Sequence, residues 1–327
     1  MLKNGGILGM IKQIKSSIRK LFLGNNYFLQ NIISKQLRQG KYFTAAAMTI
    51  FTAPFRKILK PEFRTKEITF TTSIDYYSDL HKLLHISKVE NFDLVRIGHN
   101  NDGGYILLDD FKPGGIAYSF GISDDVSFDK DIASKGYDVF MYDHTIEKLP
   151  ENNSKFHFFR QGIADGVTQD ERLKSLEYFI TQNNHENQRD MILKMDVEGA
   201  EWGFFESVKS ETLSQFSQIT FEFHNIINPS NPEKILSILR KINETHQLIH
   251  LHANNNGAYI TVGGKNFCSL FEVTYVLRDK YKFVSDYDVN LPLSLDMLNN
   301  TDYPEIILGR WNEEFKHDDK IKVVIPV

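Results

Sequence analysis

The chain has 327 residues, of which 41% are hydrophobic and 24% charged, a composition typical of a globular protein with one large domain or two. Its single cysteine, Cys268, excludes an intramolecular disulfide and a cysteine-based zinc site, in agreement with a reducing compartment. The formal net charge of −4 is unevenly distributed, because residues 1–66 contain thirteen Lys or Arg and one acid, whereas the remainder carries a net charge of −16.

The basic segment, residues 1–66, is predicted to be a helical N-terminal extension. Its apolar residues recur at near-helical spacing between lysines, which is typical of an amphipathic stripe. This stripe can pack on the main domain or on a second subunit, or the basic face can bind an anionic membrane. The longest apolar stretch, Thr44–Phe55, is about half of the ~20 residues that span a bilayer, and no cleavable signal is predicted. We therefore expect a cytoplasmic protein, with peripheral contact at the inner membrane face as the alternative.

Residues 67–90 are predicted to link this extension to the main domain, residues 91–327. The first part, residues 67–75, is typical of a short strand or linker, and residues 76–90 are typical of a leucine-containing helix. Strand and helix patterns alternate from there on, which predicts a mainly parallel sheet with covering helices.

Apolar runs and helical periodicity place the elements of the main domain. The strands are predicted at residues 116–120, 138–142, 156–160, 191–195, 218–223, 247–252, 271–277 and 304–308. The helices are predicted at residues 126–135, 169–183, 200–209 and 232–245. The last helix has a polar cap candidate at Ser230–Asn231 and Pro232 in its first turn.

Three successive predicted strands end in residues that suit a bound nucleoside. The first runs into Gly121, and a glycine at a strand-to-helix turn lets a ligand approach the backbone closely. Only one glycine is present, so the dinucleotide fingerprint Gly-x-Gly-x-x-Gly is not met. The second strand ends in Asp143, where an acid can accept hydrogen bonds from both ribose hydroxyls. After the third strand, Asp165 can accept a hydrogen bond from an adenine amine while Ile163 packs on the adenine ring. At each of these positions, a turn or a helix cap is the alternative interpretation.

The most informative segment is residues 191–202, an apolar strand that ends in Asp196 and two further acids. In open α/β sheets, ligands bind outside such strand ends. His224 and His252 end the next two strands, and carboxylates with imidazoles at neighbouring strand ends suit general-base catalysis or a divalent ion. Asp196, His224 and His252 are therefore the candidate catalytic residues and the candidate metal ligands. The alternative is that some of them cap helices or hydrogen-bond to each other.

A segment ahead of the sheet, Arg96 to Tyr105, is typical of a turn into a strand. Arg96 and Asp102 can also line one edge of the ligand cleft.

Together these motifs resemble FkbM-type methyltransferases, which depend on S-adenosylmethionine. The resemblance covers roughly residues 90–310 and is most specific in its last block. The blocks are Arg96-x-Gly98…Asp102-Gly-Gly-Tyr105, Tyr118-Ser-Phe-Gly-Ile122, Tyr142-Asp143-x-Thr145 and Leu193-Lys-Met-Asp-Val-Glu-Gly-Ala-Glu201.

The resemblance implies a Rossmann-like class I methyltransferase fold of the α/β class, with a seven-stranded, mostly parallel sheet and an antiparallel C-terminal strand. It implies that Asp143 binds the ribose and Asp165 the adenine, and that the loop after the first strand binds the cofactor. This loop reads Gly-Ile-Ser where the family has Gly-x-Gly, so its contacts are expected to differ. The expected cofactor-binding residues are Asp102, Phe120, Gly121, Ile122, Ser123, Asp143, Ile163, Ala164 and Asp165.

We therefore expect an S-adenosylmethionine-dependent O-methyltransferase that acts on a hydroxyl of a saccharide or glycan precursor. His224 or His252 would remove the hydroxyl proton, or a divalent metal would lower its pKa, and Asp196 would position the acceptor. A metal-dependent nucleotide-sugar transferase and a non-catalytic partner in glycan assembly are the alternatives. A nicotinamide-dependent oxidoreductase is disfavoured by the missing fingerprint.

The charge distribution bears on the expected partners. A nucleic-acid substrate is disfavoured because the main domain is acidic and would repel phosphates. The basic N-terminus offers a surface for a membrane or a glycan-assembly partner, and a homo-oligomer is compatible with its apolar stripe.

Overall fold

The structure is a computed structural model that describes residues 64–65, 73–164, 166, 169–316 and 322–325. The predicted basic extension lies outside the described residues, apart from residues 64–65. Asp165, predicted to contact adenine, also lies outside them.

The described elements follow each other in chain order. The helices are α1 (Ile74–Leu83), α2 (Ser127–Ser134), α3 (Leu176–Gln182), α4 (Glu201–Ser207), α5 (Ser210–Leu213) and α6 (Pro232–Thr245), with a 3-10 turn at Arg278–Lys280. The strands are β1 (Arg64–Thr65), β2 (Leu94–Ile97), β3 (Tyr105–Leu108), β4 (Ile116–Phe120), β5 (Asp138–Tyr142), β6 (Phe156–Phe159), β7 (Gly162–Ile163), β8 (Leu173–Lys174), β9 (Met191–Met195), β10 (Phe216–His224), β11 (His246–Ala253), β12 (Tyr259–Val262), β13 (Lys265–Cys268), β14 (Leu270–Leu277), β15 (Asn290–Leu291), β16 (Gly309–Arg310) and β17 (Lys322–Ile325).

Seven strands form the central sheet, in the order β11-β14-β10-β9-β4-β5-β6. The strands from β10 to β6 in this order pair in parallel. β14 is antiparallel and lies between β10 and β11. The prediction of an α/β fold with a mostly parallel seven-stranded sheet is confirmed. The antiparallel strand is β14, which comes last in the chain among the seven strands of the sheet.

Both faces of the central sheet are covered, which explains why β4, β5 and β9 are largely apolar. Every residue of β9, β10 and β11 is buried. On one face, the main hydrophobic core contains buried side chains of α1, α3, α4 and α6. On the other face, α2 packs over β4 and β5, and the antiparallel β2–β3 hairpin lies beside β10 and β14.

Helix α6 begins where the sequence predicts. Asn231 accepts a hydrogen bond from the N–H of Lys234 (3.1 Å), and Pro232 occupies the first turn, where its missing N–H is not needed. No described helix is long and apolar enough to cross a membrane.

Several predicted boundaries are wrong for local reasons. Residues 304–308 form no strand, although Ile306 and Leu308 are buried. The helix predicted at 169–183 begins only at Leu176, because Leu173–Lys174 pair with β7 and Ser175 caps the helix.

The helix predicted at residues 76–90 spans Ile74–Leu83 instead. Its N-cap is Ser73, whose hydroxyl accepts from the N–H of Tyr76. After its end the N–H of Ile86 donates to the Asn312 side chain, so the chain has left the helix by this point.

Candidate active site

Three parallel, neighbouring strands bring the residues that follow them to one edge of the sheet. Gly121 follows β4, Asp143 follows β5 and Asp196 follows β9. The N–H of Gly121 donates to the carbonyl of Tyr142 (3.1 Å), and the N–H of Asp196 donates to the carbonyl of Phe120 (3.0 Å). The structure therefore places these three predicted site residues side by side.

Gly121 lies where two loops approach each other closely. Its φ is +75°, in the left-handed region that favours glycine, and a Cβ on it would lie 1.7 Å from the carbonyl oxygen of Asp196. A side chain here would push the loops after β4 and β9 apart. The close approach of these two loops requires the glycine at this turn.

Asp143 organises the loop that follows β4. Its Oδ2 accepts from the N–H groups of Ile122 and Ser123 (2.9 Å each), and its Oδ1 accepts from the N–H and the hydroxyl of Thr145 (2.8 and 2.6 Å). Burial raises the pKa of Asp143, but these hydrogen bonds outweigh it and hold the pKa below the ordinary value. The carboxylate is ionised at neutral pH, and its acceptor positions are filled by the chain itself.

The other described residues predicted to bind the cofactor make contacts within the protein. The Phe120 ring stacks on that of Tyr142, with centroids 4.9 Å apart. Ile163 is buried in the main core. The N–H of Ala164 donates to the carbonyl of Lys174 (2.9 Å).

Four polar side chains form a row across the sheet, which we call the polar row: Asp196, Glu222, Glu272 and His252. Glu222 on β10 lies directly opposite Glu272 on β14, and Glu272 lies directly opposite His252 on β11. Glu222 is buried, and its Oε1 accepts from the side-chain amide of Asn254 (2.7 Å). The pKa of Glu222 is raised to about 7, chiefly by burial and also by Asp196 and Glu272, against the lowering effect of His224.

His224, at the end of β10, lies among carboxylates. Its Nδ1 is 3.2 Å from Oε1 of Glu201, and its Nε2 is 3.3 Å from Oε2 of Glu222 and 3.5 Å from Oε2 of Glu198. Burial lowers the pKa of His224, but hydrogen bonds to Glu201 and Glu222 raise it to about 11. His224 therefore holds a proton at neutral pH, which argues against its acting as a free base in this state.

Glu201 fixes the loop that carries these acids. Its side chain is fully buried, and it accepts from the N–H of Gly199 and the N–H of His224 (2.8 Å each). Trp202 adds a hydrogen bond from its indole N–H to the carbonyl of His224 (2.7 Å). The ends of β9 and β10 are thus tied together.

Asp196, Glu198 and His224 form a group that can hold a metal ion. One ligand atom from each lies within 4.8 Å of the others. Carboxylate oxygens and imidazole nitrogens together suit Mn²⁺, Fe²⁺ or Zn²⁺. Glu201 contacts the other ring nitrogen of His224, as carboxylates often do behind a metal-binding histidine.

His252 does not belong to this group. Its Nδ1 lies 3.0 Å from Oε2 of Glu272, and its Nε2 lies 3.4 Å from Oε1 of Glu305. Because β14 is inserted between β10 and β11, the backbone carrying His252 is roughly 10 Å from that of β10. The predicted set of Asp196, His224 and His252 is therefore divided, and Glu198 takes the third position.

Hydrogen bonds link loop 98–104 and the start of β3 to the polar row. The Asn299 side-chain amide donates to Oδ1 of Asp102 (3.1 Å) and also to Glu272. The hydroxyl of Tyr105 donates to Oδ2 of Asp196 (3.0 Å). Burial raises the pKa of Asp102, and Asn299 opposes this rise. Asp102 is therefore linked to the polar row through Asn299, and its role in cofactor binding stays a prediction.

Sequence reasoning missed Glu272, Asn299 and Lys194 as site residues. Glu272 stands alone within an apolar run, and only the pairing of β14 with β10 places it opposite Glu222. Asn299 reaches the site from a distant loop. Lys194 sits inside the most specific motif, but its contact with Gly121 is visible only in three dimensions.

The segment that carries this geometry matches a known family. Residues 99–247 match the family model described as the methyltransferase FkbM domain. This segment of the chain is therefore similar to the FkbM domain. The predicted resemblance is confirmed over these residues, and the matched segment includes Gly121, Asp143, Asp196 and His224 but not His252.

Two solved structures are also similar to parts of this chain. One is described as "Putative hemolysin from Streptococcus thermophilus": 9% identity, TM-score 0.32, covering 54% of this chain and 72% of that one. The other is described as "A putative sam-dependent methyltransferase from Streptococcus mutans": 10% identity, TM-score 0.33, covering 59% of this chain and 57% of that one. No curated protein matches the sequence.

Proposed function

We propose that the protein transfers the methyl group of S-adenosylmethionine to a hydroxyl of a saccharide or glycan precursor. The observation that carries this proposal is the meeting of Gly121, Asp143 and Asp196 at one sheet edge, within the segment that matches the FkbM family model. When bound, the cofactor supplies a sulfonium methyl group that is already strongly electrophilic, so the protein must chiefly align the reactants and exclude water.

The charges at this edge fit a cationic cofactor. Asp143 is ionised, and Asp196, Glu198, Glu222 and Glu272 lie along the neighbouring strand ends. A sulfonium and an ammonium group are stabilised by nearby carboxylates. A ribose hydroxyl can bind Asp143 only by displacing one of its present donors, of which the Thr145 hydroxyl is the most readily rotated.

The polar row supplies groups that hold a hydroxyl acceptor and take its proton. Asp196 is half-buried and already accepts a hydrogen bond from Tyr105, so it can orient an acceptor hydroxyl. Glu222 has a pKa near neutrality and lies beside Asp196, which suits a general base better than the protonated His224 does. We therefore assign orientation to Asp196 and proton removal to Glu222.

A divalent ion is the second part of the proposal. The group of Asp196, Glu198 and His224 would hold it, and its charge would replace the proton on His224 and offset the neighbouring carboxylates. It would supply Lewis-acid activation of the acceptor hydroxyl.

Cofactor binding tests the first part and separates it from the alternatives. Isothermal calorimetry is expected to detect S-adenosylhomocysteine binding, and no heat from NAD or a nucleotide sugar. Asp143→Asn should weaken the binding at least roughly tenfold, since it removes a charged acceptor. Asp138→Asn, at the opposite end of β5, is the matched control and should bind like the wild type. A nucleotide sugar binding in place of S-adenosylhomocysteine would favour the transferase alternative.

Metal binding tests the second part independently of activity. Mn²⁺ titration followed by electron paramagnetic resonance should show one site, lost in Asp196→Asn and Glu198→Gln. Asp190 directly precedes the first residue of β9, at the end away from the candidate site, so Asp190→Asn should still bind Mn²⁺. No Mn²⁺ or Zn²⁺ binding by the wild type would remove the metal from the proposal.

A further inference from the structure

One peptide group of the loop after β4 is held at both of its ends by buried ions. The carbonyl of Gly121 accepts a hydrogen bond from Nζ of Lys194 (2.6 Å). The N–H of Ile122, the other end of the same peptide, donates to Oδ2 of Asp143 (2.9 Å). Lys194 is on β9 and Asp143 follows β5, the two strands that flank β4.

The Lys194 side chain is placed for this contact. Only 8% of the residue is exposed, and its ammonium group lies 5.8 Å from the ring centroid of Tyr105. It also lies 3.5 Å from the carbonyl of Phe120. Removing a long charged side chain from water is costly unless its hydrogen bonds are made inside the protein. Here they are made to the backbone of the loop.

Gly121 makes this anchoring necessary. A glycine adopts positive and negative φ with similar ease, so the peptide that follows it can rotate unless something holds it. With the carbonyl fixed by Lys194, the N–H groups of Ile122 and Ser123 stay directed at Asp143. The loop is thus ordered by the chain's own side chains, and binding of a ligand then requires little rearrangement.

Asp129 is a buried acid whose pKa is influenced by Lys194. Its carboxyl group is buried, and its Oδ1 has no hydrogen-bond partner among the described residues. Burial raises the pKa of Asp129 to about 6, and Lys194 opposes the rise. The hydrogen bonds of the ammonium go to the loop carbonyls, however, so neutralising Asp129 does not remove the contact with Gly121.

We propose that Lys194 is a positioning residue for cofactor binding: it fixes the Gly121–Ile122 peptide so that the loop after β4 keeps its binding conformation. This inference rests on the proposed function, because it takes that loop as the cofactor loop. Lys194 acts through the backbone of the loop and is not assigned a contact with the cofactor.

The test compares three variants. Lys194→Met removes the ammonium group at similar length, and Lys194→Met with Asp129→Asn also removes the acid that would otherwise be left without a cation. Lys265→Met is the matched control, because Lys265 is similarly buried and donates from Nζ to the carbonyl of Arg310 (2.6 Å), away from the sheet edge.

Calorimetry with S-adenosylhomocysteine gives the first readout. Both Lys194 variants are expected to raise the Kd at least roughly tenfold, the effect of losing a charged hydrogen bond. Lys265→Met should lose stability but keep the Kd within about twofold of wild type.

Hydrogen–deuterium exchange without ligand gives the second readout. Exchange in a peptide covering residues 120–124 should accelerate in the Lys194 variants and not in Lys265→Met.

Two outcomes overturn the inference, and they differ from failure of the proposed function. Folded Lys194 variants with wild-type Kd and wild-type loop exchange would give Lys194 a purely structural role. Weaker binding with unchanged loop exchange would show that Lys194 acts on the cofactor directly. No binding of S-adenosylhomocysteine by the wild type would instead overturn the proposed function, and this inference with it.

Discussion

Glu222 and Glu272 lie directly opposite each other on β10 and β14, and both carboxyl groups are buried. Like charges at opposed positions destabilise a sheet, and a pair of apolar residues would stabilise it more. Burial, with contributions from Asp196 and Glu272, raises the pKa of Glu222 to about 7. The polar row therefore gives the protein a lower free energy of unfolding than apolar residues at the same positions would, as is common in active sites.

Glu222→Gln is expected to reduce the loss of stability between pH 5 and pH 8. The pKa of Glu222 is raised from 4.5 to about 7 in the folded protein. The folded state therefore holds the proton more tightly than the unfolded state, and the free energy of unfolding falls as the pH rises through this range. Glutamine does not titrate and removes this loss. Urea unfolding at both pH values, in the presence of EDTA, measures the difference. A pH dependence equal to that of the wild type would contradict the prediction.

Gly121→Ala is expected to destabilise the protein by more than about 3 kcal/mol, because it combines a positive φ with a steric clash. The new Cβ would lie 1.7 Å from the carbonyl oxygen of Asp196. Gly114→Ala is the control, since Gly114 has φ +86° but no described atom within 4 Å of the point that a Cβ would occupy. It should cost about 1–2 kcal/mol, the penalty of the backbone conformation alone. Chemical denaturation distinguishes the two, and equal losses would show that the clash is relieved.

Glu201→Gln is expected to lower the free energy of unfolding by about 2–4 kcal/mol. The substitution keeps the shape but removes the charge that His224 and the N–H of Gly199 contact. The surface acid Glu206, which pairs with Lys234, provides the comparison. Glu206→Gln should change stability by less than about 0.5 kcal/mol. Similar small effects for both would mean that the buried pair is replaceable.

Thr145→Val tests whether a ribose hydroxyl takes the place of the Thr145 hydroxyl on Asp143. Without ligand, the variant should lose about 1 kcal/mol of stability, because one acceptor position of Asp143 is vacated. With S-adenosylhomocysteine its melting temperature should rise more than that of the wild type, because the ligand fills the vacancy. Thr212→Val is the control, because it removes a hydroxyl that donates a hydrogen bond to Glu177 and not to Asp143. It should lose stability without a larger ligand-induced rise in melting temperature. A smaller ligand-induced rise in Thr145→Val would give Thr145 a supporting role instead.

Strands β4, β5 and β9 could be predicted because burial on both faces makes each of them a largely apolar run. Residues 116–120, 138–142 and 191–195 match the observed strands to the residue. The prediction failed at residues 304–308, where Ile306 and Leu308 are buried without pairing to a strand. An apolar pair indicates burial, but it does not show which backbone partner is available.

The candidate site could be predicted only where its residues lie at the end of a strand or directly after it. Asp143, Asp196 and His224 meet this condition, and the order of the parallel strands brings them together. His252 meets it too, yet the insertion of β14 separates it from the others. Glu272 lies on that inserted strand, and its position depends on a register that a single sequence does not reveal. Local patterns predict strand ends; contacts between distant strands require the fold.

The insertion of β14 also bears on how the chain is made. β10 is complete at His224, but the strand that pairs with its outer edge begins only at Leu270. At a synthesis rate of roughly 5–20 residues per second, that edge stays open for roughly 2–9 seconds while the intervening chain emerges from the ribosome. An open edge is a template for pairing with other chains, so nascent molecules crowded on one messenger RNA would be most prone to aggregate during this interval. A polypeptide released before β14 is complete would leave the outer edge of β10 permanently unpaired and become a substrate for chaperones and proteases.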